Sequence, residues 1–311
     1  MGSYCLTTGI AVALLVGCSR SPLRLNVLHL SKREAIARST TILAGTVRSI
    51  SIFGPTQQTS DGVLVRSWEV QVAPLLVLKG DLPAQEVVFF TNNYAPNVVQ
   101  NGDFERLASG DRRIFFLVRE GGRLRSVSDL YRTSIPLVHQ AAPLPPDSSA
   151  PIAEQIGSVL LGEPPGESPR DFARILPKVA TEALRTTGYG FVSSRLSQLS
   201  ASGAPEVRTE ACLTAYEQVF GGETCMERLE ASSPSPEISK RMSVARKRRE
   251  YLLDLARRSS GGCPLLQYTY GVEPEDPASV TDFLSFLAQQ EDPILRMCGV
   301  KQIGRSVPPP Q

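Results

Sequence analysis

The side chains able to do chemistry in this chain are few and unevenly placed. Cys212, Cys225, Cys263 and Cys298 fall late in the sequence, and Cys5 and Cys18 fall near its start. Four cysteines form an even set, which reads as two disulfides in one of three connectivities. A zinc site needs closely spaced ligands. The chain has no C-x-x-C pair, and its two histidines, His29 and His139, lie far from the cysteines, so neither a metal nor any other cofactor is expected. Triad chemistry would have to run through one of those two histidines. His29 lies in a stretch that looks like a tether and His139 beside a Pro-rich run, so both read as solvated surface residues. No G-x-x-x-x-G-K-[ST], G-x-S-x-G, H-E-x-x-H or dinucleotide fingerprint occurs. A protein without catalytic residues is therefore expected, with an unrecognised enzyme as the third-ranked reading of its function.

One charge run stands out, made of Lys240, Arg241, Arg246, Lys247, Arg248 and Arg249. Ile238, Met242, Ala245, Leu252 and Leu255 recur among these cations at helical spacing, which puts the run on the polar side of an amphipathic helix. It reads first as a solvated face and second as a contact for anionic lipid headgroups or polyanions. A formal charge of only +2 sets up no global field, and nucleic acid is not expected as a partner.

The elements that position these residues begin with an apolar stretch, Ile10-Ala-Val-Ala-Leu-Leu-Val-Gly17. It is far shorter than the roughly 20 apolar residues that span a bilayer, and it fits the hydrophobic region of a signal peptide. Leu15-Val16-Gly17-Cys18 resembles the lipobox of bacterial lipoproteins. That resemblance implies cleavage before Cys18, lipidation of Cys18, export, and attachment to a membrane through the N-terminal lipid. Ser19, where inner-membrane lipoproteins carry aspartate, implies the outer membrane or the cell surface, facing the periplasm or the exterior.

Ser31 and Glu34 stand at capping-box spacing before a short helical pattern that ends at Arg38. The period then changes to that of strands, read at residues 41–50, 63–79, 85–91, 112–119 and 123–129, with Gly121-Gly122 as a hairpin turn. Five short strands without intervening helices call for a closed or half-closed small barrel. Ile42-Leu-Ala-Gly45-Thr-Val47, the strand ending in Val77-Leu-Lys79-Gly80, and Gly110-Asp-Arg-Arg-Ile-Phe-Phe-Leu-Val118 together resemble the netrin-like OB-fold of tissue inhibitors of metalloproteinases and of many bacterial secreted proteins. The resemblance covers residues 31–138 and implies a fold. Inhibitory chemistry does not carry over, because the animal inhibitors use a free N-terminal cysteine and Cys18 would be acylated.

Four prolines between residues 141 and 151 read as a stiff linker, and the pattern beyond is helical. At an offset of 88 residues, Val192, Leu196, Leu199, Pro205, Val207, Arg208 and Ala211 fall opposite Val280, Leu284, Leu287, Pro293, Leu295, Arg296 and Gly299. This Pro-x-apolar-Arg-x-x-small pattern resembles HEAT-like repeats, which build extended binding surfaces. A helical hairpin between them would bring Cys225 and Cys263 to one end, so that bridge is expected, with Cys212 and Cys298 paired or left as thiols.

The expected fold class is mixed β and α: a small five-stranded OB-like barrel followed by an α-helical, HEAT-like solenoid. Its parts are a signal peptide (1–17), a lipidated tether (18–30), the barrel (31–140), the linker (141–151), the helical repeats (152–304) and a disordered tail (305–311). A length of 311 residues suits two domains. The expected function is that of a non-enzymatic envelope lipoprotein holding an unknown protein partner or an envelope polymer. The netrin-like resemblance adds, as an alternative, an inhibitor or sensor of an extracellular protease.

Overall fold

A computed structural model describes residues 30–58, 64–82, 85–94, 107–128, 134–219, 221–258, 262–270, 272 and 277–306. Cys5, Cys18, His29, the expected signal peptide and tether up to residue 29, and residues 307–311 of the expected tail lie outside the described residues.

Helix α1 (Lys32–Arg38) is too short to hold itself in water and depends on its cap and its packing. The Ser31 hydroxyl accepts from the Glu34 N–H while the Glu34 carboxylate accepts from the Ser31 N–H, which is the capping box read from the sequence. Six strands follow: β1 (Thr41–Gln58), β2 (Leu64–Lys79), β3 (Val87–Tyr94), β4 (Arg112–Glu120), β5 (Arg123–Ser126) and the two-residue β6 (Ile135–Pro136). Gly121 and Gly122, both at positive φ, turn β4 into β5 as expected of a tight hairpin.

The six strands form one sheet in the order β1-β2-β3-β5-β4-β6. A further ladder from Thr41 opposite Leu117 to Thr46 opposite Arg112 joins β1 to β4, so the first five strands close into a ring. The β3–β5 pair is parallel and the other pairs are antiparallel. β1 bends at its register shifts to serve two partners, and at Gly45 any Cβ would lie 2.3 Å from Val72 Cγ1.

The unbroken apolar run of β4 is explained by burial on both faces. Phe115 and Leu117 pack inside the ring with Leu43, Val47, Val70, Val72 and Phe89. Ile114 and Phe116, with Ile42 and Ala44, point outward into a second cluster that continues into the helices through Ile156, Leu160, Phe172 and Leu176.

Nine helices follow among the described residues: α2 (Ile152–Leu161), α3 (Pro169–Thr187), α4 (Tyr189–Ser202), α5 (Pro205–Gln218), α6 (Glu223–Ala231), α7 (Pro236–Arg257), α8 (Gly262–Thr269), α9 (Pro277–Ala288) and α10 (Pro293–Ser306). The residues matched at an offset of 88 fall at corresponding places in the pairs α4–α5 and α9–α10, with Leu196, Leu199 and Val207 buried like Leu284, Leu287 and Leu295.

The Pro-rich segment between sheet and helices is fastened at both ends. The Arg112 guanidinium on β4 donates to the carbonyls of His139, Gln140 and Ala141, and the Gln155 amide on α2 donates to those of Ser148 and Ala150. It is a strap across a shared core, because the outer cluster runs without a break from the sheet to the helices.

Candidate functional site

The basic run lies on α7, and packing divides it into two sets. Arg241 crosses to α5, where its guanidinium donates to both Glu210 and Glu217, the shortest contacts being 2.6 and 2.7 Å. Arg246 pairs with Glu230 and Arg249 with Glu223, both on α6, and Arg249 also lies 4.5 Å from the Tyr216 ring centre. All three are ion-paired to neighbouring helices, although Arg246 and its partner stay exposed, at 44 and 49 %. Lys240, Lys247 and Arg248 stay exposed, with Arg248 over the Tyr251 ring at 5.6 Å.

Two carboxylates around one guanidinium leave an excess negative charge in a largely buried place. Burial raises the Glu210 carboxyl above its ordinary value, Arg241 opposes the rise, and Glu217 adds to it. Arg241 is in turn held more firmly protonated by its two carboxylates, against the desolvation that acts on it. Burial outweighs pairing for Glu210, which shares its cation with Glu217. A carboxyl raised in the fold binds its proton more readily folded than unfolded, so its contribution is present below the ordinary carboxylate value and fades as pH rises through the raised one. Glu210→Gln keeps an acceptor for Arg241. Its stability at neutral pH is expected to match or exceed the parent's by no more than about 1 kcal/mol, and thermal melts across pH should show the loss above the carboxylate range disappear.

The disulfides are Cys212–Cys225, joining α5 to α6, and Cys263–Cys298, joining α8 to α10, with Cα separations of 6.0 and 5.5 Å. The expected Cys225–Cys263 bridge is not formed. Cys225 sits in the first turn of α6 and Cys263 follows α7, but α6 is about 14 Å long and α7 about 33 Å at 1.5 Å per residue, so the return along α7 overshoots. Instead Gly222, at φ 79°, folds α6 back onto α5. Two disulfides are the mark of an oxidising, extracytoplasmic setting.

His139 is fully buried, contrary to the solvated position expected for it. Its Nδ1 lies 3.2 Å from the Glu167 carboxylate, its Nε2 lies 2.8 Å from the Leu160 carbonyl, and its ring stacks on Phe172. Both neighbours offer oxygens. The imidazole thus bridges a carboxylate and a carbonyl. With side chains at 0 and 2 % exposure the pair pins the strap between α2 and α3 and is closed to substrate.

A second polar junction ties the start of the fold to its end. Asp282 on α9 accepts from the Arg33 guanidinium of α1 and from the Tyr189 N–H at the start of α4, each at 3.2 Å. Gly188, at φ 100°, leaves room for this, since a Cβ there would lie 2.4 Å from Asp282 Oδ2. Tyr189 stacks among Tyr270, Phe283 and Phe286, and burial pushes both phenols far above their ordinary value, so they serve as neutral rings. The cavity beside them, lined by Arg33, Tyr189, Tyr270 and Asp282, has about 20 Å³, room for one water.

Among the described residues no group of three or more His, Cys, Asp or Glu could hold a metal, and no helix is long and apolar enough to cross a membrane. Sequence reasoning misplaced His139, whose partners are 21 and 28 residues away, and missed Asp282, whose partners are 93 and 249 residues away. Compared with known proteins, the chain matches no family model and no curated protein.

Proposed function

We propose that this chain is an exported lipoprotein, anchored by acylated Cys18, whose sheet and helical layer hold another protein at the envelope without chemistry of their own. The ring order β1-β2-β3-β5-β4, closed by β1–β4 and with β3 and β5 parallel, supports reading the sheet as an OB-like barrel of netrin-like type. The corresponding helix pairs α4–α5 and α9–α10 support a HEAT-like reading of the helical part.

The observation that carries the binding role is the end of the molecule fixed by the Cys263–Cys298 bridge. Leu265, Met297 and Val300 lie within two residues of the bridged cysteines, and all three are exposed despite being large and apolar. Large apolar side chains left exposed on two helices that a disulfide joins suit a protein partner.

Two measurements test this reading. Cys18→Ala is expected to move the protein from the membrane to the soluble fraction and to abolish lipid labelling; labelling that persists rejects the anchor. Met297→Glu with Val300→Glu is expected to reduce partner capture from detergent-solubilised envelopes at least tenfold, the effect of losing one interface anchor of about 1.4 kcal/mol or more. Unchanged capture by a folded double variant rejects this surface.

A further inference from the structure

We propose that the outer face of α7 rests on an anionic lipid surface. The proposal deepens the tethered-lipoprotein reading and rests on it for bringing α7 near a membrane.

The sorting of cations on this helix carries the argument. Arg241, Arg246 and Arg249 are taken up by Glu210, Glu217, Glu230 and Glu223 on α5 and α6. Lys240, Lys247 and Arg248 lie away from those acids and are exposed. At 100° per residue, Lys240, Val244, Lys247, Arg248 and Tyr251 occupy an arc of about 100°; Met242, Ala245 and Leu252 lie outside it and are buried, and beyond Tyr251 the arc closes at the buried Leu255. Val244 and Tyr251, 52 and 47 % exposed, are thus set among cations where a solvated helix needs neither.

That composition matches the headgroup level of a bilayer. Long cationic side chains reach phosphates while their stems and the valine meet the acyl boundary, and tyrosine favours this depth because its ring is apolar and its hydroxyl polar. Arg248 over the Tyr251 ring keeps charge and aromatic together. Glu237 falls within the arc at its first turn, Glu250 lies about 60° outside it, and Asp254 is held by Arg257 at 2.8 Å, so the attraction is modest and suits a chain already tethered.

The test uses the oxidised chain from Ser19 onward, which keeps every described residue and carries no lipid, so it reads α7 apart from the anchor. Sedimentation with vesicles of phosphatidylglycerol and phosphatidylcholine is compared with pure phosphatidylcholine. Binding to the anionic vesicles alone is expected, weakening as salt rises. Lys240→Glu, Lys247→Glu and Arg248→Glu combined should lower that affinity about 100-fold, from roughly fivefold for each cation near an anionic surface. Val244→Ser with Tyr251→Ser should lower it severalfold at unchanged helical content. Equal binding to both vesicle types, no binding to either, or full binding by the folded triple variant overturns the proposal. Vesicle binding that matches expectation, combined with an unlipidated Cys18 in cells, would remove the anchor and leave the surface standing.

Discussion

A chain ending at residue 150 is expected to fail to fold. Ile42, Ile114, Phe116, Ile135 and Leu137 on the outer face of the ring share one cluster with Ile156, Leu160, Phe172 and Leu176. Removing the helices returns five large side chains to water at about 1.5 to 3 kcal/mol each, roughly 10 kcal/mol in all. That equals the whole stability of an ordinary domain. The fragment should bind a hydrophobic dye, lack near-ultraviolet circular dichroism and give a collapsed amide spectrum. Mixing or co-expressing it with residues 151–306 should restore these signals, because the halves rebuild one core. A dispersed amide spectrum from the fragment alone would falsify the shared core.

His139→Ala is expected to cost about 3 to 5 kcal/mol, the range for removing one member of a buried pair. The loss comes from stranding Glu167, since its side chain has no route to water and the Leu160 carbonyl loses its donor as well. Glu167→Gln should be far milder, because its amide can donate to Nδ1 while Nε2–H still serves the carbonyl. Replacing both residues by apolar ones, His139→Leu with Glu167→Met, should recover most of the stability lost by the single variant. Denaturant midpoints of the four proteins, with disulfides intact, decide this. Strictly additive losses would show that the two side chains do not act as a pair.

What could be read from the sequence was local. Ser31 and Glu34 announced the first helix, and Gly121-Gly122 the β4–β5 turn. Each signal acts within one turn of the backbone. The expected strand at residues 41–50 ran on to Gln58 and the one at 123–129 stopped at Ser126, since pairing with β2 and β4 sets where a strand ends. The cysteine pairing was not legible, because it depends on the relative lengths of α6 and α7 and on the turn at Gly222. Nor was the burial of His139. Pro143, Pro145 and Pro146 suggest a spacer whether or not Arg112, 27 to 29 residues back, holds the carbonyls beside them. The basic run was visible, but which cations would meet Glu210, Glu217, Glu223 and Glu230 depended on the packing of three helices.

The contacts of α1 also determine how the molecule responds to mechanical load. A pull applied at residue 30 enters a helix of two turns, yet that helix is bonded to distant parts of the chain: Lys32 to the Ser134 carbonyl, Arg33 to Asp282, and the Ile36 carbonyl to Lys79. Force is therefore shared at once among β2, the residue before β6, and α9, and through Asp282 it reaches the first residue of α4. The first described helix and the second-last act as one shackle. A tug at the front of the chain strains its back before any strand can unzip.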